Sequence, residues 1–217
     1  MEPVKRSKRK TDVGQVHKPH PTHEKLVAAT VDLMRDHLPE AISADMILEK
    51  TGVVKGSLYH HFNDLGDLIE IALTRSFSQV VDSNIAVMSD LLSKAQSKED
   101  FFQATVQFNL LTQKPARRDA RFERVRLLGF AYKNPRFSAR LAAEQQRLTE
   151  AYADMFRLAQ SKGWMAGDFD PRAAAVLIQA YTLGKAVDDV VAEPVSTEAW
   201  NSIIIKIVTH VFGAEPA

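Results

Sequence analysis

The spacing of apolar residues is the feature that most limits what this chain can fold into. They recur three and four positions apart in one segment after another, beginning with Leu26, Ala29, Leu33 and Met34. This spacing places them on one face of a helix, whereas no segment sustains the alternation of apolar and polar residues expected of a half-buried strand. The sequence therefore predicts an all-α fold of about nine helices.

Prolines, glycines and capping side chains mark where these helices begin and end. Pro39 ends the first helix, and Ser43 is placed to cap a short second helix. Gly52 separates it from a third helix over about 54–61, and a fourth helix opens near Asp64. Later boundaries are marked by Ser97, Pro115, Pro135, Gly163, Pro171, Pro194 and Ser196. The pattern predicts a compact three-helix unit followed by a longer helical unit.

Composition excludes several kinds of protein. Cysteine is absent, so neither a disulfide nor a thiolate metal site is possible, which fits a reducing cytoplasm. No apolar run approaches the roughly 20 residues that a membrane span needs. A secretory signal has an apolar segment after its basic N-terminus, and this sequence has none there. We therefore expect a cytoplasmic protein with no membrane partner.

The N-terminal arm, residues 1–22, concentrates positive charge. The whole chain carries a net charge of only +1. The charged residues of the arm are Lys5, Arg6, Lys8, Arg9, Lys10 and Lys18 against Glu2 and Asp12. A basic segment with interspersed proline and glycine is expected to be disordered by itself. Two interpretations are open: an arm that lies along nucleic-acid phosphates, or a solvated tail.

The stretch VVKGSLYHHF, residues 53–62, contains the third predicted helix. The chain up to this point has the order helix, short helix, glycine turn, short helix, which is the layout of a helix-turn-helix. The second helix of that motif presents polar side chains to a DNA major groove about 12 Å wide. The residues suited to this task are Lys55, Gly56, Ser57, Tyr59 and His60. Leu58 and Phe62, four positions apart, would face inward. Alternatively, His60 and His61 are a surface pair and Tyr59 is a core residue.

The run ISADMILEKTGVVKGSLYHHFNDLGDLIEIAL resembles the DNA-binding domain of the TetR (tetracycline-repressor-like) family of transcriptional regulators. The resemblance covers residues 23–73 and is most specific in the GV.KG.LYHHF...DL pattern. It implies a helix-turn-helix DNA-binding domain over 23–73 and a helical ligand-binding and dimerisation domain over 74–217. It also implies a homodimer that binds double-stranded DNA at a near-palindromic operator and is released by a small effector.

The resemblance assigns roles to residues of the recognition helix. Base- or backbone-contacting positions are held by Lys55, Gly56, Ser57, Tyr59 and His60, and phosphate-contacting positions by Tyr59 and His61. Ser43 and Asp45, at the start of the second helix, complete the predicted DNA-binding set.

Four residues depart from the pattern of the family. Val54 replaces a common capping residue, Leu65 replaces a phosphate-binding lysine, and Leu38 replaces a glycine that ends the first helix. Asp45 replaces a basic or neutral residue; it could repel phosphate or accept a hydrogen bond from a cytosine amino group. The first two and Asp45 are expected to weaken DNA binding unless the arm compensates.

The last two helices, predicted over 171–191 and from 196 to about 212, are unusually apolar. Three consecutive isoleucines, 203–205, cover most of the circumference of the final helix. A helix that is apolar all round is buried on more than one side, so we expect a four-helix interface between two copies. The predicted interface residues are Leu177, Ala180, Gly184, Ile204, Ile207 and Val211. The alternative is a core helix within one protomer.

Aromatic residues are frequent between the predicted DNA-binding domain and the last two helices. By the resemblance, this part of the chain holds an apolar effector; the predicted ligand-binding residues are Phe102, Phe108, Phe130, Tyr152, Phe156 and Tyr181. An ordinary core explains the same residues equally well. Arg121, Arg124 and Arg126 could select an anionic group or form a solvated face.

Signs of catalysis are weak in this sequence. It contains no GxSxG, HExxH, P-loop or GxGxxG motif, and Asp188-Asp189 lacks a histidine at metal-ligand spacing. We expect no enzyme, no metal and no cofactor. The predicted function is that of a ligand-responsive DNA-binding repressor. The alternatives are a dimer of the same fold that acts through protein contacts after losing specific DNA recognition, and a helical enzyme or ligand carrier.

Overall fold

The computed structural model describes residues 20–211, with side chains described through residue 210. Nearly the whole of the predicted basic arm, and the predicted end of the last helix at residue 212, lie outside the described residues. The described part of the chain forms nine α-helices and no β-strand, which confirms the all-α prediction. The helices are α1 (Pro21–Leu33), α2 (Ala44–Thr51), α3 (Lys55–His61), α4 (Leu65–Ser93), α5 (Lys98–Gln113), α6 (Arg118–Tyr132), α7 (Pro135–Ser161), α8 (Pro171–Gly184) and α9 (Thr197–Val211).

The chain divides into two compact units, one ending at Ile69 and the other beginning at Glu70, within α4. In the first unit, α1 packs against both α2 and α3. Their shared core is formed by apolar side chains that are almost completely buried: Leu26, Val27, Ile42, Ile47, Leu58 and Phe62. Burial of these residues is what holds the short helices α2 and α3, because isolated helices of this length are unstable in water.

Local capping sets the ends of these short helices. Pro21 lies at the start of α1, where its missing N–H removes no hydrogen bond. The Ser43 Oγ accepts a hydrogen bond from the backbone N–H of Met46 at 3.3 Å, as its predicted N-cap role requires. Gly52 ends α2 with a φ of 65°, a left-handed conformation in which glycine carries no steric penalty. The turn that positions α3 is therefore determined locally.

In the second unit, α7 packs along α8 and against α6, while α5 packs against α9. The fully buried side chains at its centre include Phe137, Leu148, Phe156 and Val208. Gln113 joins three of these helices, because its amide donates to Thr182 Oγ1 at 3.1 Å and accepts from Trp200 Nε1 at 2.9 Å. Ser97 and Asp100 form a reciprocal capping box at the start of α5.

The helix predicted over 171–191 is shorter than expected. It ends at Gly184 and is followed by a 3-10 turn at Lys185–Val187. Asp188 is engaged by the Lys185 ammonium group and by the backbone N–H of Val195, and Asp189 is engaged by Arg121. These contacts hold the chain after Gly184 in a turn, which helical periodicity in the sequence could not reveal.

Candidate functional site

The exposed side of α3 is the surface that the sequence singled out. Leu58 and Phe62 point into the core of the first unit and are almost completely buried. The opposite side presents Lys55, Gly56 and His60 as exposed residues, and Tyr59 is 47% exposed. Tyr59 is therefore a surface residue. One helix thus combines an anchored apolar side with a polar side that is open to solvent.

The N-terminal end of α3 is open as well. Val54 is its N-cap residue and makes no side-chain capping hydrogen bond, as its apolar side chain requires. No atom lies within 4 Å of the position that a Cβ of Gly56 would occupy, so its backbone is accessible. Ser57 is half-buried, whereas Ser43 and Asp45 are exposed at the first turn of α2. All these predicted DNA-binding residues lie within the first unit.

His61 belongs to a group of histidines that the sequence did not reveal. Its ring centroid lies 4.9 Å from that of His20, 5.3 Å from that of His60 and 6.3 Å from that of His23. Burial is the main cause that lowers the pKa of His61, followed by the charges of these three histidines. The Nδ1 atom of His23 lies 3.6 Å from a carboxylate oxygen of Glu24. His61 therefore favours its neutral form in the free protein.

The predicted ligand-binding aromatics occupy different environments in the second unit. Phe108 and Tyr152 line a very small cavity together with residues of α4 and α8. The Tyr181 hydroxyl donates to Asn109 Oδ1, and Asn109 lines the same cavity. Phe156 is fully buried and meets the edge of Phe169.

Two further predicted aromatics make only local ring contacts. Phe102 meets the edge of Phe101, and partly exposed Phe130 packs against Phe137. The predicted aromatics therefore divide among cavity lining, buried core and the protein surface, where Phe130 is 38% exposed.

A larger cavity, of about 70 Å³, is lined by polar and apolar residues that lie mostly outside the predicted ligand-binding set. Tyr152 is the one predicted ligand-binding residue in its lining. The others are Val80, Asn84, Thr112, Arg117, Ala120, Arg121, Arg124, Gln179, Thr182 and Leu183. The arginine-rich run before α6 and in its first half was the available signal, and a solvated face was the favoured interpretation of it.

The predicted interface residues differ in exposure within one protomer. Leu177, Ala180 and Gly184 are exposed along α8, and Leu177 is 45% exposed. Ile204 is only 2% exposed because α9 turns it into the protomer core against α5, so it is buried before any partner binds. Ile207 is half-buried. Val211 ends α9, and its side chain lies outside the described residues.

No group of three or more histidine, aspartate or glutamate side chains suited to a metal ion occurs among residues 20–210. Both carboxylates of the Asp188-Asp189 pair are held by basic side chains of the same unit. In the described part of the chain, no helix combines the length and apolarity that crossing a membrane requires.

Comparison with known proteins rests on solved structures. No protein-family model matches the sequence, and no curated protein matches it. GusR of Salmonella enterica is 20% identical, with a TM-score of 0.62 over 91% of this chain and 98% of that chain.

Two other solved structures are similar. A Mesorhizobium loti protein assigned to the TetR family of transcriptional regulators is 17% identical, with a TM-score of 0.65 over 88% of this chain and 96% of that chain. A protein from Saccharomonospora viridis, described as a transcriptional regulator and solved with choline, is 16% identical, with a TM-score of 0.63 over 88% of this chain and 97% of that chain. This chain therefore has the fold of the TetR-family transcriptional regulators.

Proposed function

We propose that this protein is a cytoplasmic transcriptional repressor that binds double-stranded DNA as a homodimer and is released by a small effector with an apolar body. The observation that carries the proposal is the exposed polar side of α3, with Lys55, Gly56, Tyr59 and His60 open to solvent over a buried Leu58. A recognition helix needs this arrangement, because it must enter a groove while staying fixed to its own domain. The fold of the neighbouring structures supports the same function.

Dimerisation is proposed through the outer faces of α8 and α9. Leu177 and Val176 on α8 and Ile203 on α9 are large apolar side chains exposed in one protomer. No atom lies within 4 Å of a Cβ built on Gly184, so another helix could approach α8 closely at this position. Exposed apolar faces of this kind mark interaction sites. A twofold dimer presents two recognition helices to successive major-groove faces, which requires a near-palindromic operator.

Leu177→Asp is expected to convert the dimer into monomers, because it places a charge in an interface that excludes water. Sedimentation velocity of the parent and the variant measures the change. Leu158→Asp is the matched control, since Leu158 is a 55% exposed leucine on α7. The control should stay dimeric. If the Leu177→Asp protein sediments as a dimer, Leu177 of α8 is not part of the interface.

DNA affinity is expected to rise as the pH falls. The pKa of His61 is held below its ordinary value by burial and by the neighbouring histidines, so its ring is neutral at pH 7 in the free protein. Nearby phosphates would favour the charged ring, so binding takes up a proton. Uptake of one proton raises affinity by up to about tenfold per pH unit between pH 7 and 6.

Fluorescence anisotropy with a labelled operator at constant ionic strength measures this dependence. His61→Gln should flatten it, whereas His37→Gln, which changes an exposed histidine in the turn after α1, should leave it intact. An equal pH dependence in the parent and in His61→Gln would show that His61 takes no part in proton uptake.

The function itself is tested by selecting bound DNA from a random pool with the full-length protein, followed by transcription measurements on genes next to the selected sites. A repressor should enrich one near-palindromic sequence, bind it with strong salt dependence and lower transcription from it. Failure to enrich any sequence would favour the alternative, a dimer of this fold that acts through protein contacts. Two features favour this alternative: Val54, the N-cap residue of α3, makes no capping hydrogen bond through its side chain, and Asp45 is exposed.

Release by an effector follows from differential affinity. A molecule that binds the second unit more tightly in one conformation shifts the dimer toward that conformation by the ratio of the two affinities. The choline complex of the Saccharomonospora viridis protein shows that a small molecule can bind to a protein of this fold. The effector class in the present chain depends on its own cavity residues.

A further inference from the structure

Arg124 has no acidic partner in the part of the chain that the structure describes. Its Nη2 atom donates to the amide oxygens of Gln145 at 3.0 Å and Gln179 at 2.8 Å, and its Nε is buried without a partner. Among the described residues, no carboxylate oxygen lies within 4 Å of this guanidinium, and burial lowers the pKa of Arg124. Because a guanidinium stays protonated in proteins, the site carries a positive charge that no carboxylate of the described residues balances; the Phe77 ring faces it at 6.0 Å.

The neighbouring arginines of α6 are compensated. Arg121 forms a two-pronged ion pair with Asp189 at 2.6 and 2.9 Å. Arg126 pairs with Glu123 at 2.5 Å. Arg124 lies on the same helix but donates to amide oxygens, whereas Arg118, which donates to the backbone oxygen of Asp189, is exposed to solvent.

The cavity around Arg124 has a polar part and an apolar part. Two cavities of about 70 Å³ each share Val80, Asn84, Ala120 and Arg124. The first adds Tyr152, Gln179 and Thr182, and the described residues of its lining include three arginines and no carboxylate. The second adds the apolar side chains Phe77, Leu127 and Leu148, and its one carboxylate, Glu123, is paired with Arg126.

Tyr152 supplies a hydrogen-bond donor beside this charge. Burial raises the pKa of its hydroxyl to about 12, although the charge of Arg124 acts in the opposite direction. The phenol is therefore protonated at neutral pH. A charged guanidinium and a neutral phenol together suit a ligand group that only accepts hydrogen bonds, such as a carboxylate.

We propose that this site binds an organic carboxylate with an apolar body, its carboxylate on Arg124 and Tyr152 and its body along Phe77, Leu127 and Leu148. Asp189 neutralises Arg121, and Arg117 is exposed to solvent, so Arg124 is the buried charge of the lining that a ligand would balance. One buried positive charge favours a carboxylate over a doubly charged phosphate. Each cavity, at about 70 Å³, is smaller than the roughly 150 Å³ cavity that accommodates a benzene ring, so we expect a larger body to part the surrounding helices. This separation would be the conformational change that the effector drives, and the proposal in this respect rests on the proposed function.

Calorimetry with two pairs of probes tests the site without DNA: benzoate against benzamide, and hexanoate against hexanamide. Each pair keeps the apolar body and removes the charge. The parent protein should bind each carboxylate at least tenfold more tightly than its amide, the size expected of hydrogen bonds to a charged group. If neither carboxylate is preferred, or if neither binds at millimolar concentration, the proposal is wrong.

Variants of α6 then assign the preference to one residue. Arg124→Met should abolish it, and Arg118→Met, which removes an exposed cation outside both cavity linings, should preserve it. Arg124→Lys keeps the charge and should keep a weaker preference, which covers the case in which Arg124→Met fails to fold. A preference that survives in a folded Arg124→Met protein would overturn the assignment.

The carboxylate preference and the proposed function are tested by separate experiments, so either can be wrong while the other stands. If the protein prefers benzoate but selects no DNA, the proposal of an anion site stands and the proposal of a repressor is wrong. A protein that selects an operator but binds each carboxylate and amide equally would remain a repressor with a different effector.

Discussion

Simultaneous replacement of Lys55 and Tyr59 by alanine should weaken specific DNA binding by about two to three orders of magnitude. Both side chains are exposed on α3, and each well-placed contact to a base contributes about 1–3 kcal/mol to discrimination, or about tenfold for every 1.4 kcal/mol. Non-specific binding should persist, because it depends on the summed charge of the protein surface. Anisotropy titrations with the selected operator and with scrambled DNA measure both quantities.

The matched control is Tyr132→Ala with Lys133→Ala. This exposed tyrosine-lysine pair lies at the end of α6 in the second unit, and its loss should leave the ratio of specific to non-specific binding unchanged. Circular dichroism checks that each double variant is folded. If the Lys55/Tyr59 variant kept the operator preference of the parent, α3 would not be the recognition helix.

Asp189→Ala should reduce the free energy of unfolding by about 3–5 kcal/mol, because it leaves Arg121 buried without its partner. The side chains of Arg121 and Asp189 are only 4% and 9% exposed. Urea denaturation measures the loss. The control is Asp154→Ala: the pair between Asp154 and Arg157 is solvent-exposed, so its removal should cost about 1 kcal/mol or less. Equal losses in the two variants would contradict a structural role for the buried pair.

The same ion pair predicts sensitivity to acid. The hydrogen bond from Arg121 is the largest of the causes that lower the pKa of Asp189. A carboxylate with a lowered pKa in the folded state stabilises the protein above its ordinary pKa of about 3.9 and loses that contribution as the pH falls further. The parent should therefore lose stability below about pH 4 more steeply than Asp189→Ala.

The sequence determined local structure in this protein. Apolar spacing predicted the helices, and Ser43 and Gly52 predicted the ends of α2, because a cap or a left-handed glycine acts within a few residues of itself. The outward direction of Tyr59 was also predictable, since Leu58 and Phe62 occupy the other side of the same short helix. Helical geometry alone relates these three residues.

Tertiary structure decided which of several similar residues is available to a ligand or a partner. Nothing in the sequence distinguishes Arg121 from Arg124, which lie on the same helix. In the structure, Asp189, far along the chain, forms an ion pair with Arg121 and not with Arg124. Ile203 and Ile204 are adjacent isoleucines, yet contact with α5 buries only the second within the protomer. His20 and His61 meet only because α1 and α3 pack together. The charge, exposure and pKa of a side chain depend on neighbours distant in sequence, so residue spacing could not determine them.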